Sequence, residues 1–128
     1  MTESIMQSCI DDCLDCYQVC IRTKNKCIET GGKHAESTHL KMMDDCAEIC
    51  LIAANFMMRE SDNHAEICKL CSDICLECSL VCEMFEEQFM KDCAEQCKLC
   101  SDSCLAMSGD HKMQEFSKSD IEAQSTAE

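Results

Sequence analysis

The stretch His64–Cys82, HAEICKLCSDICLECSLVC, places cysteines at positions 68, 71, 75, 78 and 82. The steps alternate three and four, which is the spacing of one stripe along an α-helix. A strand, with its period of two, would scatter the same residues over both faces. Half of the residues between the cysteines are Lys, Ser, Asp and Glu, which suit water.

The same rhythm recurs on both sides. Cys9, Cys13, Cys16, Cys20 and Cys27 form a group before it, Cys46 and Cys50 a second, and Cys93, Cys97, Cys100 and Cys104 follow it. One step, from Cys20 to Cys27, is seven, two turns on the same stripe. Four groups predict four helices. The first runs from about Thr2 to Glu29, with Ser4 or Thr2 as N-cap, and ends at Thr30-Gly31-Gly32 because glycine stops helices. The second covers about Ser37–Glu60, with His39, Met42 or Met43, Cys46, Cys50, Ala53 or Ala54, and Met57 on its seam. The third follows Ser61-Asp62, a capping pair. The fourth begins after a turn within Phe85–Phe89 and stops near Ser108-Gly109. Short connections make neighbours antiparallel. The expected fold is therefore all-α, an up-down-up-down four-helix bundle with a Cys-lined core over residues 1–108, with 109–128 as a flexible tail.

Composition supports helices and an unusual interior. The 128 residues include no Pro and only 3 Gly. With 4 Phe, 1 Tyr and no Trp, the interior must be filled largely by 16 Cys and 10 Met, both soft and adaptable side chains. A formal net charge of −14 excludes nucleic acid, whose phosphates require Lys and Arg, and disfavours anionic membrane surfaces. No apolar run is long enough to span a bilayer. The N-terminal MTESIMQSCIDDC lacks the basic start and apolar stretch of a secretory signal, so a cytoplasmic location is expected.

A few cysteines on a helix seam would be plain packing. Sixteen aligned thiols point to a scaffold or a metal site. Disulfides fit poorly: neighbours at i,i+3 or i,i+4 have Cβ atoms about 5–6 Å apart, whereas a disulfide needs about 3.8 Å. Zinc is usually held by four thiolates from two separated CxxC pairs, and pairs exist at 13/16, 68/71, 75/78 and 97/100. The unbroken ladder from Cys68 to Cys82 is not a discrete four-ligand box, however. It resembles a track on which adjacent ions share sulfurs, which suits low-coordinate Cu(I). Charge points the same way. One monovalent cation per thiolate neutralises a buried core, while four thiolates on one Zn(II) leave it anionic. The alternatives are a zinc or iron–sulfur module, and a thiol redox protein built on a low-pKa cysteine beside Arg22, Lys69 or Lys98.

One end of such a bundle gathers Cys27, His34, His39, Met42, Met43, Met84 and Met90, and the other gathers Met6, Met57, Met58, His64, Met107 and His111. Thioether and imidazole hold Cu(I) more weakly than thiolate, so the first set suits a gate. Methionine at helical spacing is also ordinary core filler.

The stretches CIDDCLDCYQVC (9–20), HLKMMDDCAEICLIA (39–53), HAEICKLCSDICLECSLVC (64–82) and CAEQCKLCSDSC (93–104) resemble the four-helix-bundle copper storage proteins, in particular their cytosolic branch. The resemblance implies a homotetramer that stores multiple Cu(I) ions, exchanged with copper chaperones or efflux proteins, and no catalysis. It implies the sixteen cysteines as ligands, joined near the mouth by His39, Met43 and Met90, with copper entering at the His/Met end. Relatives can place Cys near positions 24, 41 or 42, and 90, and His in the last turn. Here Lys24, Lys41, Met42, Met90 and the turn FEEQF stand there.

Overall fold

The computed structural model describes residues 2–109. Helix α1 spans Thr2–Thr30, α2 Ser37–Met58, α3 His64–Glu83 and α4 Gln88–Met107, with a short 3-10 turn at Gly32–Ala35. Apart from Gly109, the expected tail lies outside the described residues. Each helix packs against two others, α1 on α2 and α4, α3 on α4 and α2, and this closes a four-helix bundle.

The boundaries follow from local chemistry. Gly31 ends α1 with φ 75°, a left-handed conformation that favours glycine, and its N–H donates to the Cys27 carbonyl at 3.0 Å. Because α1 already begins at Thr2, Ser4 sits inside the helix instead of capping it. Helix α2 ends at Met58, two residues before the expected Glu60, which itself adopts φ 52°. The last turn is tighter than Phe85–Phe89: it occupies Met84–Glu87, and Gln88 and Phe89 are already helical. Gln88 supports this early start by donating to the Asp92 carboxylate at 2.8 Å, one turn ahead.

The interior inverts the usual partition of side chains. All sixteen cysteines are buried, together with Met43, Met57 and Met90, while Leu70, Leu76, Leu80 and Leu99 face outward. Leu80 is 62% exposed. A buried Leu stabilises a fold by roughly 1.5–3 kcal/mol relative to an exposed one, so this arrangement sacrifices apolar burial to place sulfur inside. On α2 the seam is Met43, not Met42, and both Ala53 and Ala54 turn inward.

Small residues draw α3 and α4 together. The Ser72 hydroxyl donates to the Ser101 carbonyl and the Ser101 hydroxyl to the Ser72 carbonyl, each at 2.8 Å. Ser79 donates to the Ala94 carbonyl at 2.7 Å. These reciprocal bonds satisfy buried hydroxyls and fix the helix pair that carries nine of the cysteines, Cys68–Cys82 and Cys93–Cys104.

Candidate metal centre

The four stripes meet at the bundle axis. Across helices, the sulfurs of Cys13 and Cys104 lie 3.4 Å apart, Cys13 and Cys100 3.7 Å, and Cys9 and Cys104 3.8 Å. Between α2 and α3, Cys50 and Cys75 are 3.4 Å apart and Cys46 and Cys75 3.7 Å. Cys97 joins both sides, 3.7 Å from Cys20 and 3.9 Å from Cys46. Every cysteine is a free thiol.

Among the described residues, five clusters have ligand atoms close enough to hold an ion: Cys9–Cys68–Cys104, Cys13–Cys71–Cys100–Cys104, Cys50–Cys71–Cys75–Cys100, Cys16–Cys46–Cys50–Cys75 and Cys16–Cys20–Cys46–Cys97. Successive clusters share sulfurs. Cys104 links the first two, Cys71 and Cys100 the next, then Cys50 and Cys75, then Cys16 and Cys46. The result is one continuous track. Cys27, Cys78, Cys82 and Cys93 are equally buried but belong to none of these clusters; they lie toward the His39 end.

With metal–sulfur bonds of about 2.3 Å, two thiolates stand about 4.6 Å apart around a linear ion, about 4.0 Å around a trigonal one and about 3.8 Å around a tetrahedral one. The shortest separations, 3.4–3.9 Å, lie near the trigonal and tetrahedral values, and all sulfurs of a cluster lie within 4.8 Å of one another, so both three-coordinate and linear spacings are within reach of small side-chain rotations.

Electrostatics separates the mouth from the track. Burial pushes the Cys27 thiol up to about 11, so it carries its proton at neutral pH. Within the track the sulfurs act on one another. Neighbouring thiols, Cys16 foremost, hold Cys46 down, and the Cys100 contact holds Cys50 up. Negative charge is thus taken up where adjacent S–H groups can donate to it.

At the mouth, the Cys27 sulfur lies 3.6 Å from His39 Nε2 and 3.5 Å from the Met90 sulfur. Met43 and Met90 are fully buried. Burial lowers the His39 pKa, which favours the neutral imidazole. Its Nδ1 is buried with no hydrogen-bond partner. His34 stays outside the core, bonded through Nε2 to Glu87 at 2.9 Å and packed on Phe85 with ring centroids 4.4 Å apart. Met84, grouped with the gate by its position, is 81% exposed. At the far end Met57 is buried, Met6 and Met107 pack partly against the core, and His64 Nδ1 bonds the Ser61 carbonyl at 2.9 Å. His111 lies outside the described residues.

The cations near thiols in sequence turn away from them. Lys69 pairs with Asp73 at 3.0 Å, Lys98 with Asp102 at 2.7 Å, and Arg22 bonds Gln18 at 3.4 Å. Sequence reasoning did not find the Phe85–His34–His39 contacts or the buried serines. Phe85 and His34 are far apart in sequence, and serine reads as solvent-facing until helix packing is known.

A family description, copper storage protein, matches residues 2–109. The chain belongs to the copper storage protein family. Its bundle superimposes on a crystal structure of a Nitrosospira multiformis protein with a TM-score of 0.80 and 39% identity, covering 84% of this chain and 97% of that one. The Cu(I)-bound copper storage protein BsCsp3 of Bacillus subtilis gives a TM-score of 0.77 at 33% identity, over 81% of this chain and 98% of that one. A curated relative, the cysteine-rich protein YhjQ of Bacillus subtilis strain 168, is 36% identical over 72 residues, 56% of this chain and 67% of its own length. The copper storage bundle described above thus shares its Cys-rich four-helix architecture with solved members of the family. None of its described helices is long and apolar enough to cross a membrane.

Proposed function

We propose that this bundle stores multiple Cu(I) ions on its core thiolates, with Cys9, Cys13, Cys16, Cys20, Cys27, Cys46, Cys50, Cys68, Cys71, Cys75, Cys78, Cys82, Cys93, Cys97, Cys100 and Cys104 as ligands and His39, Met43 and Met90 completing the mouth. The observation that carries this is the continuous track of five thiol clusters joined by shared sulfurs. A track of shared ligands accepts ions one after another. Isolated tetrahedral zinc boxes would need each cluster to own its four thiolates, and here adjacent clusters cannot be filled that way together. A monovalent ion also cancels the charge of each thiolate it meets in a water-poor core. The Cu(I)-bound relative supports the choice of metal.

The role is storage without catalysis. All sixteen thiols are buried, and the neighbouring cations of α3 and α4 are engaged at the surface, away from any thiolate. The protein acts in the cytoplasm, assembles as a homotetramer, and exchanges copper with chaperones or efflux proteins. The outward Leu76, Leu80 and Leu99, which line one groove between α3 and α4, support burial of this face against another copy.

The test is anaerobic titration of the reduced protein with Cu(I) against a competing chelator. Capacity on the order of one Cu(I) per cysteine is expected from charge compensation. Saturation after one or two ions would end the storage reading.

A further inference from the structure

Aromatic side chains gather at the end of the bundle nearest His39. His34 sits on Phe85, with ring centroids 4.4 Å apart, and near Phe89 at 6.2 Å. Lys26 lies over the Phe89 ring at 5.4 Å, and Glu87 holds His34 in place. The segment carrying His34 is the 3-10 turn that follows Gly31 and Gly32. Aromatic rings and a bonded imidazole therefore crowd this end of the bundle.

A second way in lies at the side. Between the start of α2 and the end of α3 is a groove of about 470 Å³, lined by His39 and Met42 on one helix and by Glu77, Val81, Met84 and Phe85 along the other. His39 and Met42 are one turn apart on α2, as Val81 and Met84 are near the end of α3. Met84 is 81% exposed, so its thioether is open to an incoming ion. His39 is only 7% exposed, yet it forms part of this groove while its Nε2 reaches the Cys27 sulfur inside at 3.6 Å. Its other ring nitrogen, Nδ1, is buried and has no partner among the described residues. With the ring proton on Nε2 and shared with Cys27, Nδ1 presents a free lone pair. Leaving a buried polar atom without a partner is unfavourable, and a ligand at this atom would remove that penalty.

We propose that copper is loaded laterally, through the α2–α3 groove, and that His39 is the transfer residue between an incoming Cu(I)–thiol complex and the core. Met42 and Met84 receive the ion as weak thioether ligands, His39 Nδ1 takes it next, and Cys27 with Met90 draws it inward. The step is ligand exchange. The copper–sulfur bond to the carrier breaks, copper–nitrogen and then copper–sulfur bonds form, and the Cys27 proton leaves with the carrier thiolate. Copper stays in the +1 state throughout. Glu36 and Glu77 line the groove together with Lys33, a balance that stays acidic and favours a cation's approach without being soft enough to retain it.

The portal presupposes the storage function proposed above, and two measurements on the full-length reduced protein keep the two apart. Equilibrium capacity is titrated first. Uptake is then followed by stopped flow, with Cu(I) supplied as its glutathione complex. M42L/M84L is expected to slow uptake at least tenfold at unchanged capacity, and H39Q to slow it further. M58L, which alters an exposed methionine at the other end, and H34A, which loosens the axial cap, are expected to load at the wild-type rate. Wild-type rates in M42L/M84L, or acceleration by H34A, would overturn the lateral portal and leave storage standing. A wild-type capacity of one or two ions would overturn both.

Discussion

The sulfur atoms of Cys13 and Cys104 stand 3.4 Å apart although 91 residues separate them in the chain. They come from α1 and α4, the first and last helices, and meet because closing the bundle brings those helices side by side. Both are free thiols, and both belong to the cluster completed by Cys71 and Cys100. Helix packing alone brings these four sulfurs together. Circular dichroism of reduced, metal-free protein is expected to show a highly helical spectrum that changes little on copper loading. A coil spectrum that becomes helical only with metal would contradict this.

Loading should release protons. Cys27 is held up to about 11, so at pH 7 it enters coordination as a thiol and must lose its proton to bind. Unbuffered titration with Cu(I) is expected to acidify the solution, by roughly one proton for each cysteine that binds as a neutral thiol. Apparent affinity falls as pH falls, because protons compete for the same sulfur.

Alkaline pH should destabilise the empty bundle. The Cys27 pKa is higher in the folded state than the ordinary value of 9.0. Its contribution to stability is complete below that ordinary value and is lost as pH rises through about 9 toward 11. Thermal melts of reduced metal-free protein at pH 7.5 and pH 10.5 are expected to show the lower Tm at pH 10.5. Copper loading is expected to remove much of that difference by replacing the proton.

Shared and unshared cysteines should differ in consequence. Cys50 belongs to two clusters, whereas Cys27 belongs to none of the five and sits at the mouth. C50A is expected to lower Cu(I) capacity more than C27A, while C27A mainly slows loading. Chelator-competition titration and stopped-flow uptake on the two variants distinguish these outcomes.

The α3–α4 contact should resist enlargement. Ser72 and Ser101 are buried and each donates to the other's carbonyl at 2.8 Å. S72A removes one hydrogen bond and is expected to cost about 1 kcal/mol. S72L forces the helices apart and is expected to cost about 1–3 kcal/mol. Urea denaturation of the metal-free protein measures both.

Much of this was readable along the chain. The three-and-four cysteine spacing fixes helix and face together, because no other regular structure brings those positions onto one side. Gly31 and the near absence of other breakers place the first stop within a residue or two. The turn before α4 was less legible. FEEQF contains no glycine or proline, and the one local cue to an early start, Gln88 four residues before Asp92, is weak in sequence.

Spacing decided that the thiols lie on one stripe of each helix, since helical geometry depends only on neighbours a few residues away. Which stripe meets which, and so the order of the shared clusters, came only from closing the bundle, where contacts join residues as distant as Cys9 and Cys104. The same holds for His39. Sequence placed it near the gate, but only the tertiary structure set one of its nitrogens against Cys27 and left the other without a partner, because burial is a property of surrounding helices and not of the residue itself.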